Sequence, residues 1–196
     1  LNVGSVARLC SNFEVEELRI VSPKCDIFSL EAKKMALKGQ KYLDHCKIFD
    51  SLEKAIFDCD LVLATSGRTD VTNNSPFESF EDVFNWTISF KKIKNLGIIF
   101  GREDRGLTNR ELLLANKTFN IPTSQNNPSL NLSHAVSIVL YELNQSSKKN
   151  INEKLEVFNL ASTKQIHDSF AEIEEILLEV GYLLKHTSSA KISKFK

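Results

Sequence analysis

Three polar phrases in this sequence have residue types and spacings that could do chemistry. Asn2, Gly4 and Arg8 open the chain as Asn-x-Gly-x-x-x-Arg; Phe100, Gly101, Glu103, Gly106 and Leu107 follow near the middle; Ile121-Pro122 then leads into Ser129-Leu130-Asn131-x-Ser133-x-Ala135. A guanidinium, with a pKa above about 12, stays charged, so Arg8 can hold an anion but is a poor proton acceptor. Gly101 and Gly106 have the outer spacing of a phosphate loop, yet Leu107-Thr108 follow where that loop needs Lys-Ser/Thr, so the triphosphate reading fails. Neither a G-x-G-x-x-G after a strand nor a G-x-S-x-G elbow is present. His134 sits beside the third phrase and reads as a helix-surface or capping residue. Asp104 adjoins Glu103, but neighbouring loop side chains usually diverge, and no metal is implied. Read singly, Asn2 and Ser129 suit helix N-caps and Glu103 a solvated loop charge.

These phrases need elements to bring them together. After Asn2, the residues Val3, Val6, Ala7 and Cys10 recur at helical spacing, with Gly4, Arg8 and Asn12 on another face. Glycine costs about 1 kcal/mol against alanine inside a helix, so something approaches closely at Gly4. "ELRIVSP", Asp60 to Ala64, "NLGIIF" and "KTFNIP" read as strands, and "SLEAKKMALKG" and "SLEKAIFDC" as helices between them. Residues 69–92 are less regular, a loop and then a short helix. Thr108 with Glu111 forms a capping box that starts a helix at Asn109, and Leu132, Ala135, Val136, Val139, Leu140 and Leu143 mark a later one. Alternating helices and strands predict an α/β fold with a mainly parallel sheet flanked by helices. The second and third phrases then fall at carboxyl ends of strands, where such sheets hold ligands. "NQSSKKNINEK" reads as a polar linker, and beyond it Ser162 with Gln165 caps a helix carrying Ile166, Phe170, Ile173, Leu177 and Val180 and ended by Gly181.

Composition bounds the function. Twenty-five basic residues balance twenty-five acidic ones, so a polyanion must be met by a local patch and not by a global field. Cys10, Cys25, Cys46 and Cys59 form no C-x-x-C pair and read as free thiols of a reducing cytosol. The sequence holds no apolar run of membrane-spanning length and no signal peptide, so a cytoplasmic protein is expected.

Taken in order, the three phrases resemble the motifs of the SpoU (TrmH-like) branch of the SPOUT methyltransferases, over about residues 1–144. "LATSGR", "ALKGQKYLDHCKIFDSLEKAI" and "ASTKQIHDSFAEIEEILLEVGYL" are similar to the TrmJ-type tRNA methyltransferases. The resemblance implies transfer of a methyl group from S-adenosylmethionine, leaving S-adenosylhomocysteine, to a ribose 2′-hydroxyl at the first tRNA anticodon-loop nucleotide, a cytidine or uridine. An rRNA enzyme of the same family, or a non-catalytic RNA-binding relative, is the alternative. It further implies a C-terminal trefoil knot from about Leu96 to Leu143, a methyltransferase domain over 1–145 lacking its first strand, and a linker with a small helical extension over 146–196. The cofactor walls would be Thr65, Ser66 and Gly67, then Gly101, then Ile121, Ser129, Leu130 and Asn131. Small residues there let backbone groups reach a ligand, while Ile121 and Leu130 give apolar contact. Arg8 would grip the phosphate beside the target hydroxyl and stabilise the developing alkoxide. Asn2 and Glu103 would position Arg8, Glu103 by a charge-assisted hydrogen bond, while Ser129 and Asn131 would support ribose or cofactor and Gly4 would admit the RNA backbone. A homodimer with composite sites is expected, with neither metal nor membrane.

Overall fold

The computed structural model describes residues 1–67, 79–90, 93–124, 126–149, 161, 163–184 and 188–192. Helix α1 (Asn2–Asn12) leads to β1 (Arg19–Val21), α2 (Leu30–Ala36), a 3-10 turn at Leu37–Gly39, α3 (Gln40–Asp44), β2 (Lys47–Phe49) and α4 (Leu52–Ala55). Then come β3 (Leu61–Ser66), α5 (Phe80–Ile88), β4 (Leu96–Ile99), α6 (Asn109–Leu112), β5 (Lys117–Asn120), α7 (Leu132–Lys149), α8 (Thr163–Glu179) and α9 (Ser188–Ile192). Short side chains start several helices: the hydroxyls of Ser29, Ser51 and Ser79 accept the backbone N–H of Ala32, Lys54 and Asp82. Thr108 and Glu111 close the capping box read in the sequence. Among the expected elements, the linker differs. Asn144 to Lys149 continue α7, because a polar stretch with no Gly or Pro gives the helix no reason to stop. Ser162 lies outside the described residues.

Among the described residues the named strands pair in parallel, as the alternation of elements predicts, but they lie in two sheets. One is β1-β2; the other has the order β4-β3-β5. Strands β1 and β4 both line one groove, which also takes in Val6 of α1 and Val136 and Leu140 of α7. Strand β3 is central to its sheet, and its first four residues, Leu-Val-Leu-Ala, are buried because helices cover both faces. On one side Ile56, Val62, Ala64, Ile99 and Leu107 pack together; on the other Leu63, Phe84, Phe119 and Val139 do. The rings of Phe80 and Phe84 meet edge-on at 4.5 Å. Asn116 prolongs the β3–β5 ladder by donating its N–H to the Val62 carbonyl at 2.8 Å and accepting the Val62 N–H on its side chain at 2.7 Å.

A third cluster holds α1 down. Ala7, Ala32, Ala36 and Leu43 are buried together, and alanines on facing helices let the backbones approach. Gly4 is the extreme case: an added Cβ would lie 2.1 Å from the Ala32 carbonyl oxygen, so the close approach foreseen at Gly4 is that of α2 and not of RNA. The free thiols divide by position. Cys10 and Cys59 are buried, Cys46 is partly so, and Cys25 is exposed. Burial pushes the Cys10 thiol up to about 11, which leaves it an unreactive core residue.

Candidate active site

Because β3, β4 and β5 run parallel, the segments that follow them emerge at one end of the sheet. Thr65, Ser66 and Gly67 end β3; Phe100 to Leu107 follow β4; Ile121 to Leu130 follow β5. These three segments surround a cleft of about 290 Å³, near the lower end of the range of roughly 300–1,000 Å³ for small-molecule sites. Seven of the eight residues expected as cofactor walls line it: Thr65, Ser66, Gly67, Gly101, Ile121, Ser129 and Leu130. Thr65 donates its hydroxyl to the Ile99 carbonyl at 3.2 Å, which ties the first wall to the base of the second.

The loop between Gly101 and Gly106 folds back on itself. Arg102 and Gly106 pair as an antiparallel bridge, with the Gly106 N–H donated to the Arg102 carbonyl at 2.7 Å. Gly106 has φ +67°, a left-handed conformation that glycine takes without strain, and a Cβ on Gly101 would meet the Gly106 carbonyl carbon at 2.3 Å. Both glycines are therefore required by the fold of the loop itself. Leu107 anchors it in the core. Across the tip the Arg102 guanidinium grips Asp104 through two hydrogen bonds, of 2.9 and 2.6 Å, and holds that carboxyl below the usual range. Arg105 reaches Glu111 at 3.4 Å. The cleft rim thus carries both signs of charge, already balanced. Phe100, the first residue of the second phrase, lines the cleft, and so do Arg102, Arg105 and Pro128, which stand at no motif position; their adjacency to the second and third phrases was the signal.

The eighth wall residue, Asn131, lies outside the cleft lining. Its Oδ1 accepts the backbone N–H of Ser133 at 2.9 Å and the Ser133 hydroxyl at 2.8 Å, so it caps α7. That fixes which way its amide faces: Nδ2 donates to Oδ1 of Asn2 at 3.2 Å. Asn2 in turn donates its own Nδ2 to Glu103 Oε1. One hydrogen-bonded chain therefore joins all three phrases, running Ser133 to Asn131 to Asn2 to Glu103. Asn2 is the first residue of α1 and not its cap, which is Leu1 without a side-chain bond. Within the chain Glu103 accepts from Asn2 and makes no ion pair with Arg8. Arg8 itself is exposed and outside the lining of the cleft. His134 is exposed on α7, as expected. Among the described residues no group of three or more His, Cys, Asp or Glu side chains could hold a metal ion.

A model of the SpoU rRNA methylase family matches residues 1–141. The chain belongs to the SpoU methylase family. This SpoU-family chain is 39% identical over 171 residues to the tRNA (cytidine-2′-O-)-methyltransferase TrmJ of Methanocaldococcus jannaschii, a match covering 84% of the chain and 70% of the relative. The crystal structure of TrmJ from Z. mobilis ZM4 aligns with a TM-score of 0.81 at 25% identity, covering 99% of this chain and 82% of that one. The SpoU methyltransferase AviRb from Streptomyces viridochromogenes, solved in complex with AdoMet, shares the fold at a TM-score of 0.57 and 19% identity, over 76% of this chain and 56% of that one.

Proposed function

We propose that this SpoU-family chain is an S-adenosylmethionine-dependent ribose 2′-O-methyltransferase that acts on tRNA, at a cytidine or uridine opening the anticodon loop. The observation that carries the reading is the convergence of Thr65–Gly67, Gly101 and Ile121–Leu130 on one cleft, beside the hydrogen-bonded chain that joins Asn2, Glu103 and Asn131. The similarity to a cytidine-2′-O-methylating tRNA enzyme supports the substrate class.

The residues present fit the cofactor. Ile121 and Leu130 offer apolar contact, Gly67 leaves open space with nothing nearer than the Pro128 carbonyl oxygen at 3.7 Å from an added Cβ, and the rim of both signs suits a zwitterion. S-adenosylmethionine, when bound, supplies an electrophilic methyl group on a sulfonium. The chain's own work is positioning and charge. A ribose hydroxyl is a poor nucleophile, so holding it in line matters more than a strong base. Arg8, permanently protonated, grips the neighbouring phosphate and favours the alkoxide as it develops, while the hydroxyl proton leaves to water or phosphate. Asn2 ties the start of the Arg8 helix to the cleft rim.

Arg8 stands outside its own chain's cleft, which suits a homodimer in which the arginine of one protomer serves its partner's site. The same reading puts a trefoil knot between about Leu96 and Leu143. It makes the methyltransferase unit run through about residue 145, with α8 and α9 as a helical extension after α7 ends. The cytosol, where tRNA is modified, is its place. Calorimetry with S-adenosylmethionine and a methyl-transfer assay on unmodified tRNA and rRNA transcripts test the reading. Binding with transfer to tRNA is expected. Cofactor binding without transfer to any RNA would make the chain a binding module, and transfer to rRNA alone would move the substrate.

A further inference from the structure

Several of the long cations on this molecule are held in ion pairs. Arg19 holds Glu17 and Asp58, Lys47 holds Glu17, Lys54 holds Asp50 at 2.8 Å, and Arg110 holds Glu53 at 3.3 Å. The two arginines of the cleft loop are paired as well, so the rim of the cleft itself offers little positive charge to a polyanion.

The segment α2–α3 is different. Between Leu30 and Asp44 it has four lysines against two carboxylates, and Lys34, Lys38 and Lys41 are exposed and make no ion pair with any described residue, with Lys41 Nζ lying 5.2 Å over the Tyr42 ring. Its position is set by backbone contact. Gly39 is buried so tightly against α1 that an added Cβ would lie 2.3 Å from the Ala7 carbonyl oxygen and 2.6 Å from the Arg8 Cα. Lys38 and Lys41 therefore flank the point where the chain touches Arg8, with Lys34 one turn before Lys38. The turn that achieves this is strained. Leu37 has φ +48°, strained for a residue other than glycine, and Leu37 is 56% exposed, so the strain does not serve to bury its side chain. The turn carries the chain directly into Gly39, which packs against Arg8 with a lysine on either side.

We propose that Lys34, Lys38 and Lys41 form the docking surface for the RNA ribose-phosphate backbone and lead it to Arg8. This rests on the ribose methyltransferase reading and goes beyond it by naming the face that carries the substrate. Unpaired lysines on a helical surface contact phosphate without reading sequence, and each contact releases condensed counterions.

The test is the salt dependence of RNA affinity. A Lys34→Gln, Lys38→Gln, Lys41→Gln variant is compared with wild type and with Lys54→Gln, Lys148→Gln, Lys191→Gln, which removes the same charge elsewhere. With unmodified tRNA transcript, the first variant should bind roughly tenfold or more weakly at low salt, and the slope of log affinity against log salt should be shallower by about 2–3. Its S-adenosylmethionine affinity should be unchanged, and its methyl transfer should show a raised KM for RNA with kcat retained at saturation. The control triple should keep the wild-type slope. An unchanged slope in the first variant, or an equal loss in the control, overturns the proposal. Wild type that binds the cofactor but no RNA overturns the parent reading instead, and this one with it.

Discussion

Asn2 has two polar neighbours, and its amide must satisfy both: the Oδ1 accepts from Asn131 and the Nδ2 donates to Glu103. A carboxylate in its place could still accept but would face Glu103 with like charge. Asn2→Asp should therefore lower the melting temperature at pH 7 more than Asn2→Ala does. The gap should narrow as salt is raised from about 0.01 to 1 M, since the screening length falls from about 30 to 3 Å. Equal melting temperatures across that range, read by scanning fluorimetry, would contradict the assigned bond. Leu130 lines the cleft as an apolar wall, and Leu130→Asp should weaken S-adenosylmethionine binding by at least about tenfold, or 1.4 kcal/mol, in calorimetry. The sequence already marked these residues by type and order. It could not show that Asn2 bonds Glu103, because a helix N-terminus with Asn and Gly reads equally well as a cap. That partner is a hundred residues away, and only the fold brings it near.

Two glycines distinguish packing from ligand access at the level of elements. A Cβ on Gly4 would collide with backbone of α2, so Gly4→Ala should cost about 1–3 kcal/mol by forcing α1 and α2 apart. Gly67 meets nothing closer than 3.7 Å, and Gly67→Ala should stay within about 0.5 kcal/mol of wild-type stability while weakening the cofactor. Denaturant titration and calorimetry on both variants separate the two roles; the reverse pattern would mean the cleft is misplaced. Periodicity and caps made most elements legible, from the Thr108–Glu111 box to the apolar run of β3. Strand β2 escaped because Lys47-Ile-Phe49 is only three residues long and is largely exposed, with neither alternation nor a continuous apolar run to signal it. The linker escaped because polarity alone does not end a helix, and residues 144–149 contain no breaker.

At the scale of the whole molecule, local ion pairs tie distant segments together. Arg19 joins β1 to the segment after α4: it holds Asp58 through the second of two hydrogen bonds at 2.9 Å and donates to the Ala55 carbonyl at 2.5 Å. The guanidinium keeps the Asp58 carboxyl below its ordinary value, so the contribution of that pair to stability is present above the usual carboxylate pKa of about 4. It is lost as pH falls through the lowered value in the folded state. Asp58→Asn should thus lower stability at pH 7 and flatten its decline below about pH 4, as followed by thermal melts from pH 7 to 2. An unaltered acid profile would mean the pair is merely a surface contact. Strand order could not be read from one sequence, since nothing local tells β1 to pair with β2 and β4 with β3. The measurement that bears most directly on function is methyl transfer from labelled S-adenosylmethionine to unmodified tRNA by wild type and Arg8→Ala, with cofactor affinity measured on both. The account predicts that transfer falls by about 10²–10³-fold in the variant while cofactor affinity stays at the wild-type value. Transfer that survives the loss of Arg8, or affinity that falls in step with it, would contradict the claim that this arginine acts on the RNA and not on the cofactor.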